Sequence, residues 1–236
     1  VGAALPAGPA NLAYRAAELL LEEGGRPGGA AIELTKRIPV GGGLGGGSGN
    51  AAAVLAGLNR LYGLGLPADR LRALGARLGS DVPFFLTDGL SLATGRGEIL
   101  TPLRPWPAQW MVLANPQTSV STAWAYREIS SKLTEGLVPA SIAASIAGGC
   151  LPWPPTWVFN RLEQAVLPYH PEIRALRELL GAGGETPALM SGSGATVFAA
   201  AADEATAREL VERARGAGAF AVAVRTLTAN PILATE

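Results

Sequence analysis

The sequence predicts an α+β fold in two halves, and three observations lead there. Helical and strand periodicities both occur on each side of a Pro- and Trp-rich stretch at 102–110. Strands separated by helices on both sides of that stretch suggest two α+β layers. A glycine-rich loop joins a strand to a helix within the first half.

Each element has a local reason. Residues 11–23 read as a helix with Leu12, Ala16, Leu19 and Leu20 on one face, Arg15, Glu18 and Glu22 toward the other, and Gly24-Gly25 ending it. Residues 30–36 read as a strand with Ile32 and Leu34 pointing one way. After the glycine loop a helix is expected over 50–62, burying Val54, Leu55, Leu58 and Leu61. Another spans 68–78, with Leu71, Leu74 and Leu78 at helical spacing, until Ser80-Asp81-Val82-Pro83 breaks it. Strands around 90–92 and 98–100 flank Gly95-Arg96-Gly97, which reads as a hairpin turn.

Beyond the Pro/Trp stretch, 110–114 reads as a strand, 134–147 as a helix and 153–157 as a proline-broken loop. Helices are expected over 160–167 and 171–180. The remainder alternates: strand 188–190, turn Ser191-Gly192-Ser193-Gly194, strand 196–200, helix 204–215 with Asp203 as N-cap, strand 220–226. No tandem repeat is present.

Composition narrows the function. At 236 residues the chain can form one large domain or two small ones with a full core. Nineteen Lys+Arg balance nineteen Asp+Glu, which argues against a nucleic-acid binder working through a broad basic face. A single cysteine, Cys150, excludes an internal disulfide, and with His170 the sole histidine a Cys/His zinc site within the chain is not available. No apolar run is long enough for a membrane span. The start, Val1-Gly2-Ala3-Ala4-Leu5, has neither the basic region nor the apolar core of a signal peptide. A soluble, cytoplasmic protein is the expectation.

The run Pro39-Val40-Gly41-Gly42-Gly43-Leu44-Gly45-Gly46-Gly47-Ser48-Gly49-Asn50 carries the chemistry. So many glycines cost backbone entropy on folding. What the chain gains is backbone N–H groups able to approach an anion closely, at the positive end of the following helix. A phosphate is the expected guest. No lysine follows the glycines, so this is not a Walker loop. Gly41, Gly43 and Gly46 satisfy G-x-G-x-x-G, but no acid closes a strand at the spacing a dinucleotide fold requires. A flexible linker is the alternative, opposed by the apolar Leu44 and by the structured flanks.

Asp81 reads either as an N-cap for a short helix through Phe84 and Phe85, or as a carboxylate that orients or deprotonates an attacking hydroxyl. Ser191-Gly192-Ser193-Gly194-Ala195-Thr196 reads as a tight turn or as a place where backbone closely approaches a ligand or the first loop. Cys150 is expected to be a buried spectator and His170 a surface residue at a helix start.

In this order, the glycine run into Ala51-Ala52, then Gly79-Ser80-Asp81-Val82-Pro83, then Gly95-Arg96-Gly97-Glu98, then Ser191 to Thr196 resemble the GHMP family of small-molecule kinases. The likeness runs over essentially the whole chain. The Gly-Leu-Gly-Gly-Gly-Ser and Ser-Asp-Val-Pro wording is most similar to members acting on a CDP-linked methylerythritol in non-mevalonate isoprenoid synthesis.

The resemblance implies a two-domain GHMP kinase fold. Residues 1–104 would form an ATP-binding domain like ribosomal protein S5 domain 2, and 105–236 a ferredoxin-like substrate domain. It implies transfer of the γ-phosphate of ATP to a hydroxyl, with Mg²⁺ neutralising phosphate oxygens and Asp81 as the catalytic acid-base residue. Pro39, Val40, Gly41, Gly42, Gly43, Leu44, Gly45, Gly46, Gly47, Ser48 and Gly49 would wrap the triphosphate, with Asn11 and Lys36 approaching the nucleotide. Thr122 and Tyr126 would contact the cytidine, Tyr126 by stacking or else as ordinary core, and Ser191 and Gly192 would face the substrate. The family's opening Pro-Ala-Lys-x-Asn-Leu strand and Asp-Gly-Tyr-His segment do not occur, so the chain is expected to lack the family's first positions. Three other readings compete: a nucleotide-binding protein without transfer activity, a GHMP kinase for another alcohol, and a dinucleotide oxidoreductase.

Overall fold

The computed structural model describes residues 5–25, 28–130, 148, 158–182 and 187–233. Two compact units emerge from the internal contacts: Val1–Arg37, Gly45–Pro105 and Leu227–Glu236 form one, and Ile38–Leu44 with Trp106–Thr226 the other. The expected contiguous halves, 1–104 and 105–236, do not account for 38–44 or for the last segment. The glycine run itself changes unit between Leu44 and Gly45.

In the first unit, α1 (Leu12–Glu23), α2 (Gly46–Leu61) and α3 (Ala68–Leu78) pack together. Ala16, Ala17 and Leu20 of α1 meet Ala51, Ala52, Leu55 and Leu58 of α2 and Leu71 and Leu74 of α3 in one apolar cluster. The small alanines let α1 and α2 approach closely. Val82 and Leu86 close this cluster, Leu86 at the end of a short 3₁₀ helix, Pro83–Leu86, and Val82 just before it. Strands β1 (Ser91–Thr94) and β2 (Ile99–Pro102) form an antiparallel hairpin. Its tip is held where the Arg96 N–H donates to Glu98 Oε2 at 2.7 Å.

In the second unit an antiparallel four-stranded sheet runs in the order β4-β5-β3-β6. The strands are β3 (Trp110–Asn115), β4 (Leu189–Met190), β5 (Val197–Ala201) and β6 (Phe220–Arg225). Met111 lies opposite both Ala200 and Val224, so β3 is central and β4 is an edge. Helices α6 (Pro171–Gly181) and α7 (Glu204–Gly216) pack on the sheet, burying Ile173, Leu176, Leu180, Leu210 and Val211 against Val112, Val197 and Ala199. Asp203 caps α7, accepting from the Thr206 N–H at 2.8 Å. Two further helices, α4 (Thr122–Ser130) and α5 (Glu163–Val166), also belong to this unit.

Several expectations are corrected. Residues 30–36 form no strand: nothing among the described residues pairs with them, and alternation without a partner leaves the backbone unladdered. Helix α2 starts at Gly46 instead of Asn50, because Gly45 at φ +64° turns the chain into the helix and accepts from the Gly49 N–H at 2.8 Å. Leu61 is 73% exposed at the end of α2, and Tyr62 packs on the cluster in its place. Residues 160–167 yield only the short α5, since Asn160 opens a turn that accepts the Leu162 N–H. Helix α4 had no counterpart in the sequence reading. The helix read over 134–147, the loop over 153–157 and Cys150 lie outside the described residues. An all-antiparallel sheet also removes the dinucleotide oxidoreductase, which needs parallel βαβ units.

Candidate functional site

Within the first unit, the sequence-predicted residues gather at the start of α2. No side chain caps this end, so the N–H groups of Gly46, Gly47 and Ser48 have no acceptor within the helix. They add to the positive end of a 16-residue helix dipole. Glycine is required at Gly45 twice over, by its left-handed φ and by Phe85. A Cβ there would lie 2.8 Å from Phe85 Cζ. Gly49 lies under the same ring, where a Cβ would be 3.4 Å from two of its carbons.

Phe85 therefore ties the 3₁₀ helix to the first turn of α2, and Asp81 stands just ahead of that helix. Its carboxylate is exposed, and the 3₁₀ helix has no side-chain cap. The capping role considered for Asp81 is not the one it plays. Among the described residues it has no hydrogen-bond or ion-pair partner. Behind Phe85, the Asn230 Nδ2 group donates to Phe85 O at 2.8 Å and Thr87 O at 2.9 Å, fixing the segment from the other end of the chain. Asp88 Oδ1 accepts the Asn230 N–H at 2.9 Å.

Asn11 caps α1: its Oδ1 accepts the Ala13 N–H, and its Nδ2 donates to Pro6 O, each at 3.0 Å. The next residue, Leu12, would be 3.7 Å from a Cβ on Gly47, which sets this cap close to the start of α2. Lys36 is half-buried with no partner among the described residues.

In the second unit, Pro39 to Leu44 fold against the tip of the β4–β5 hairpin. The Thr196 N–H donates to Gly42 O at 3.2 Å, and Ser191 Oγ donates to Gly43 O at 2.9 Å. Gly43, at φ +75°, comes so near that a Cβ would sit 2.1 Å from Ser191 O. Beneath them Asn115, buried, donates from Nδ2 to Thr196 Oγ1 at 3.1 Å and accepts the Gln117 N–H at 2.8 Å. Thus the 191–196 segment is both a hairpin tip and a close approach to the first loop.

Thr122 opens α4, and its hydroxyl is hydrogen-bonded to that of Ser193 at 2.9 Å. Tyr126, one turn on and so on the same side of the helix, is 58% exposed, which sets aside a core-packing role. Trp124 stands edge-on to Tyr169 and His170, with centroids 5.6 and 5.9 Å away. His170 stands at the start of α6, as expected, and its side chain is partly exposed. Its Nδ1 pairs with Glu172 at 3.0 Å, a hydrogen bond that holds the Glu172 carboxyl below its usual value, aided by the residue's own backbone N–H.

The sequence reading missed Phe85, Asn115, Asn160 and Asn230. Among the described residues, no group of three or more His, Cys, Asp or Glu could hold a metal ion, and no helix is long and apolar enough to cross a membrane.

Comparison with known proteins fits this geometry. Residues 11–89 match the GHMP kinases N terminal domain, and residues 144–219 the GHMP kinases C terminal domain. The chain belongs to the GHMP kinase family. It is 43% identical to a 4-diphosphocytidyl-2-C-methyl-D-erythritol kinase of Geobacter sulfurreducens, over 94% of this chain and 78% of that one. It is 46% identical to a protein of the same name from Gloeobacter violaceus, over 84% of this chain and 67% of the other. A crystal structure of 4-(cytidine 5'-diphospho)-2C-methyl-D-erythritol kinase superposes with TM-score 0.78 at 40% identity, covering 94% of this chain and 80% of that one. Homoserine kinase from Cytophaga hutchinsonii, at 19% identity and TM-score 0.64, shares the fold. In this GHMP kinase, then, the two-domain α+β fold is the family's own.

Proposed function

We propose that this GHMP kinase transfers the γ-phosphate of ATP to a hydroxyl of 4-diphosphocytidyl-2-C-methyl-D-erythritol, in the non-mevalonate route to isoprenoid precursors. The observation that carries the reading is the uncapped glycine start of α2, joined through Phe85 to the segment that presents an exposed carboxylate, Asp81. The names of the relatives point to the same substrate. A soluble, cytoplasmic setting is the one the composition supports.

Phosphoryl transfer asks the protein mainly for positioning and charge stabilisation. The N–H groups of Gly46, Gly47 and Ser48 donate to phosphate oxygens, and no bulky side chain stands in the first turn of α2. Pro39 to Leu44 extend the phosphate-binding segment, with Asn11 and Lys36 on the nucleotide side. Asp81 accepts the proton of the attacking hydroxyl as the O–P bond forms and ADP leaves. Mg²⁺, when bound, neutralises phosphate oxygens. Ser48 Oγ would be the hydroxyl at hand to hold it beside the phosphates. Tyr126 stacks on the cytosine, Thr122 contacts the cytidine, and Ser191 and Gly192 face the substrate.

The test is ADP release from MgATP and the CDP-linked substrate by the full gene product, abolished in Asp81→Asn. Substrate-dependent turnover supports the reading. ATP protection against thermal unfolding without ADP formation identifies a nucleotide binder that transfers nothing. Turnover only with another alcohol reassigns the substrate.

A further inference from the structure

Asn160 lies outside every residue considered so far for binding or chemistry, yet its side chain is wholly engaged. The Nδ2 group donates to Met190 O and to Gly192 O, each at 2.7 Å, and Oδ1 accepts the Leu162 N–H at 3.0 Å. Both amide hydrogens are therefore aimed at one short stretch of backbone 30 residues on.

That stretch is the end of edge strand β4 and the turn that follows. Asn160 shares the edge with Glu163, whose Oε1 accepts the Met190 N–H at 2.7 Å and pairs with Arg177 at 3.2 Å. The two bonds to Met190 can be explained as cover for an open strand edge. The bond to Gly192 cannot, because Gly192 is beyond the strand, in a left-handed conformation at φ +55°. On the opposite side of this turn lie Gly42 and Gly43. Ser191 Oγ donates to Gly43 O, and a Cβ on Gly192 would be 3.3 Å from the same oxygen. The turn is clasped between Asn160 and the first half of the glycine run.

We propose that Asn160 is a positioning residue for nucleotide binding: it fixes the 191–194 turn, which in turn fixes the backbone of Gly42 and Gly43. This rests on the assignment of the glycine run to the triphosphate. A phosphate-binding backbone needs its N–H groups held within a few tenths of an ångström, since a displaced donor loses most of its hydrogen bond. An amide with two donors bridging two carbonyls sets both the position and the twist of the turn.

The experiment measures ATP affinity by thermal-shift or calorimetric titration, with steady-state kinetics alongside, for the parent, Asn160→Ala, Asn160→Asp and Glu163→Gln. Asn160→Asp keeps the acceptor for Leu162 but turns an oxygen toward both carbonyls. The expected result is ATP affinity weakened about tenfold in both Asn160 variants, an effect the size of one or two ordinary hydrogen bonds. The KM for ATP should rise to match while the KM for the alcohol moves less than about twofold. Glu163→Gln disturbs the same strand edge without touching Gly192, and should lower the unfolding midpoint while leaving ATP affinity unchanged. ATP affinity unchanged in both Asn160 variants overturns the proposal, as does an equal loss in Glu163→Gln. If Asn160→Ala does not fold, Asn160→Asp decides alone. ATP binding by the parent without turnover defeats the kinase reading but leaves the affinity ratio decisive here. A parent that binds no ATP overturns both.

Discussion

The two halves of the glycine run look alike in sequence and differ in what their glycines are for. In Gly41 to Gly43 the missing side chains make room for protein: Gly43 lies against the backbone of Ser191 with no space for a methyl group. In Gly46 to Ser48 the missing side chains leave the first turn of a long helix uncapped, with N–H groups unclaimed by the helix. Each half is also held from behind by an asparagine whose Nδ2 bridges two carbonyls. Asn160 holds Met190 and Gly192 in one unit, and Asn230 holds Phe85 and Thr87 in the other. A single glycine-rich string thus contains a stretch packed on protein followed by an uncapped helix start. Counting glycines cannot tell the two apart.

The largest expected effect tests whether the helix-start half is the chemical one. Asp81→Asn keeps the shape and removes the negative charge of the segment that Phe85 joins to that half. Turnover should fall by roughly 10²–10⁴-fold, the usual contribution of a positioned acid-base group. Because the carboxylate is exposed and unpartnered among the described residues, the unfolding midpoint should stay where it was. An Asp81→Asn protein that loses stability and activity together would place Asp81 in the scaffold and dissolve the contrast.

Next in size is Gly43→Ala. The added methyl must displace the Ser191 carbonyl and tolerate a left-handed φ, so destabilisation of roughly 2–4 kcal/mol is expected by urea unfolding. A neutral Gly43→Ala would mean that the loop half is slack and that Ser191 does not hold Gly43 in place. Tyr126→Ala is expected to raise the KM for the CDP-linked substrate about tenfold, as loss of one base-stacking ring does, with ATP affinity unmoved. If ATP affinity shifts instead, Tyr126 belongs with the nucleotide-binding parts.

What could be read beforehand follows from the range over which each feature is determined. Helix α3 matches its expected limits because three leucines at helical spacing lie between Pro67 and the break at Ser80 to Pro83. Asp203 was recognisable as a cap because its partner is three residues away. The start of α2 was not, because glycine propensity argues against a helix that Phe85, some 35 to 40 residues on, packs into place. Asn160 and Asn230 gave only the local signal of an asparagine next to a turn. Their partners lie 30 and about 145 residues away, and nothing in a single sequence links them. The strand expected at 30–36 failed for the same reason in reverse: its alternation is local, but a strand exists only with a neighbour.

The smallest effect has the opposite sign and is the finest probe of the contrast. Gly57 lies in α2, exposed, with nothing within 4 Å of where its Cβ would be. Alanine there restricts the unfolded chain and meets no obstacle, so Gly57→Ala should stabilise by about 0.5–1 kcal/mol. Gly49, two turns earlier in the same helix, has ring carbons of Phe85 at 3.4 Å, tight enough that the ring must give slightly. Gly49→Ala should therefore realise less of that gain than Gly57→Ala, read as the difference between their urea midpoints at equal slope. Equal gains at both positions would show that Phe85 does not press on the start of α2, and the link between the helix end and the Asp81 segment would lose its physical basis.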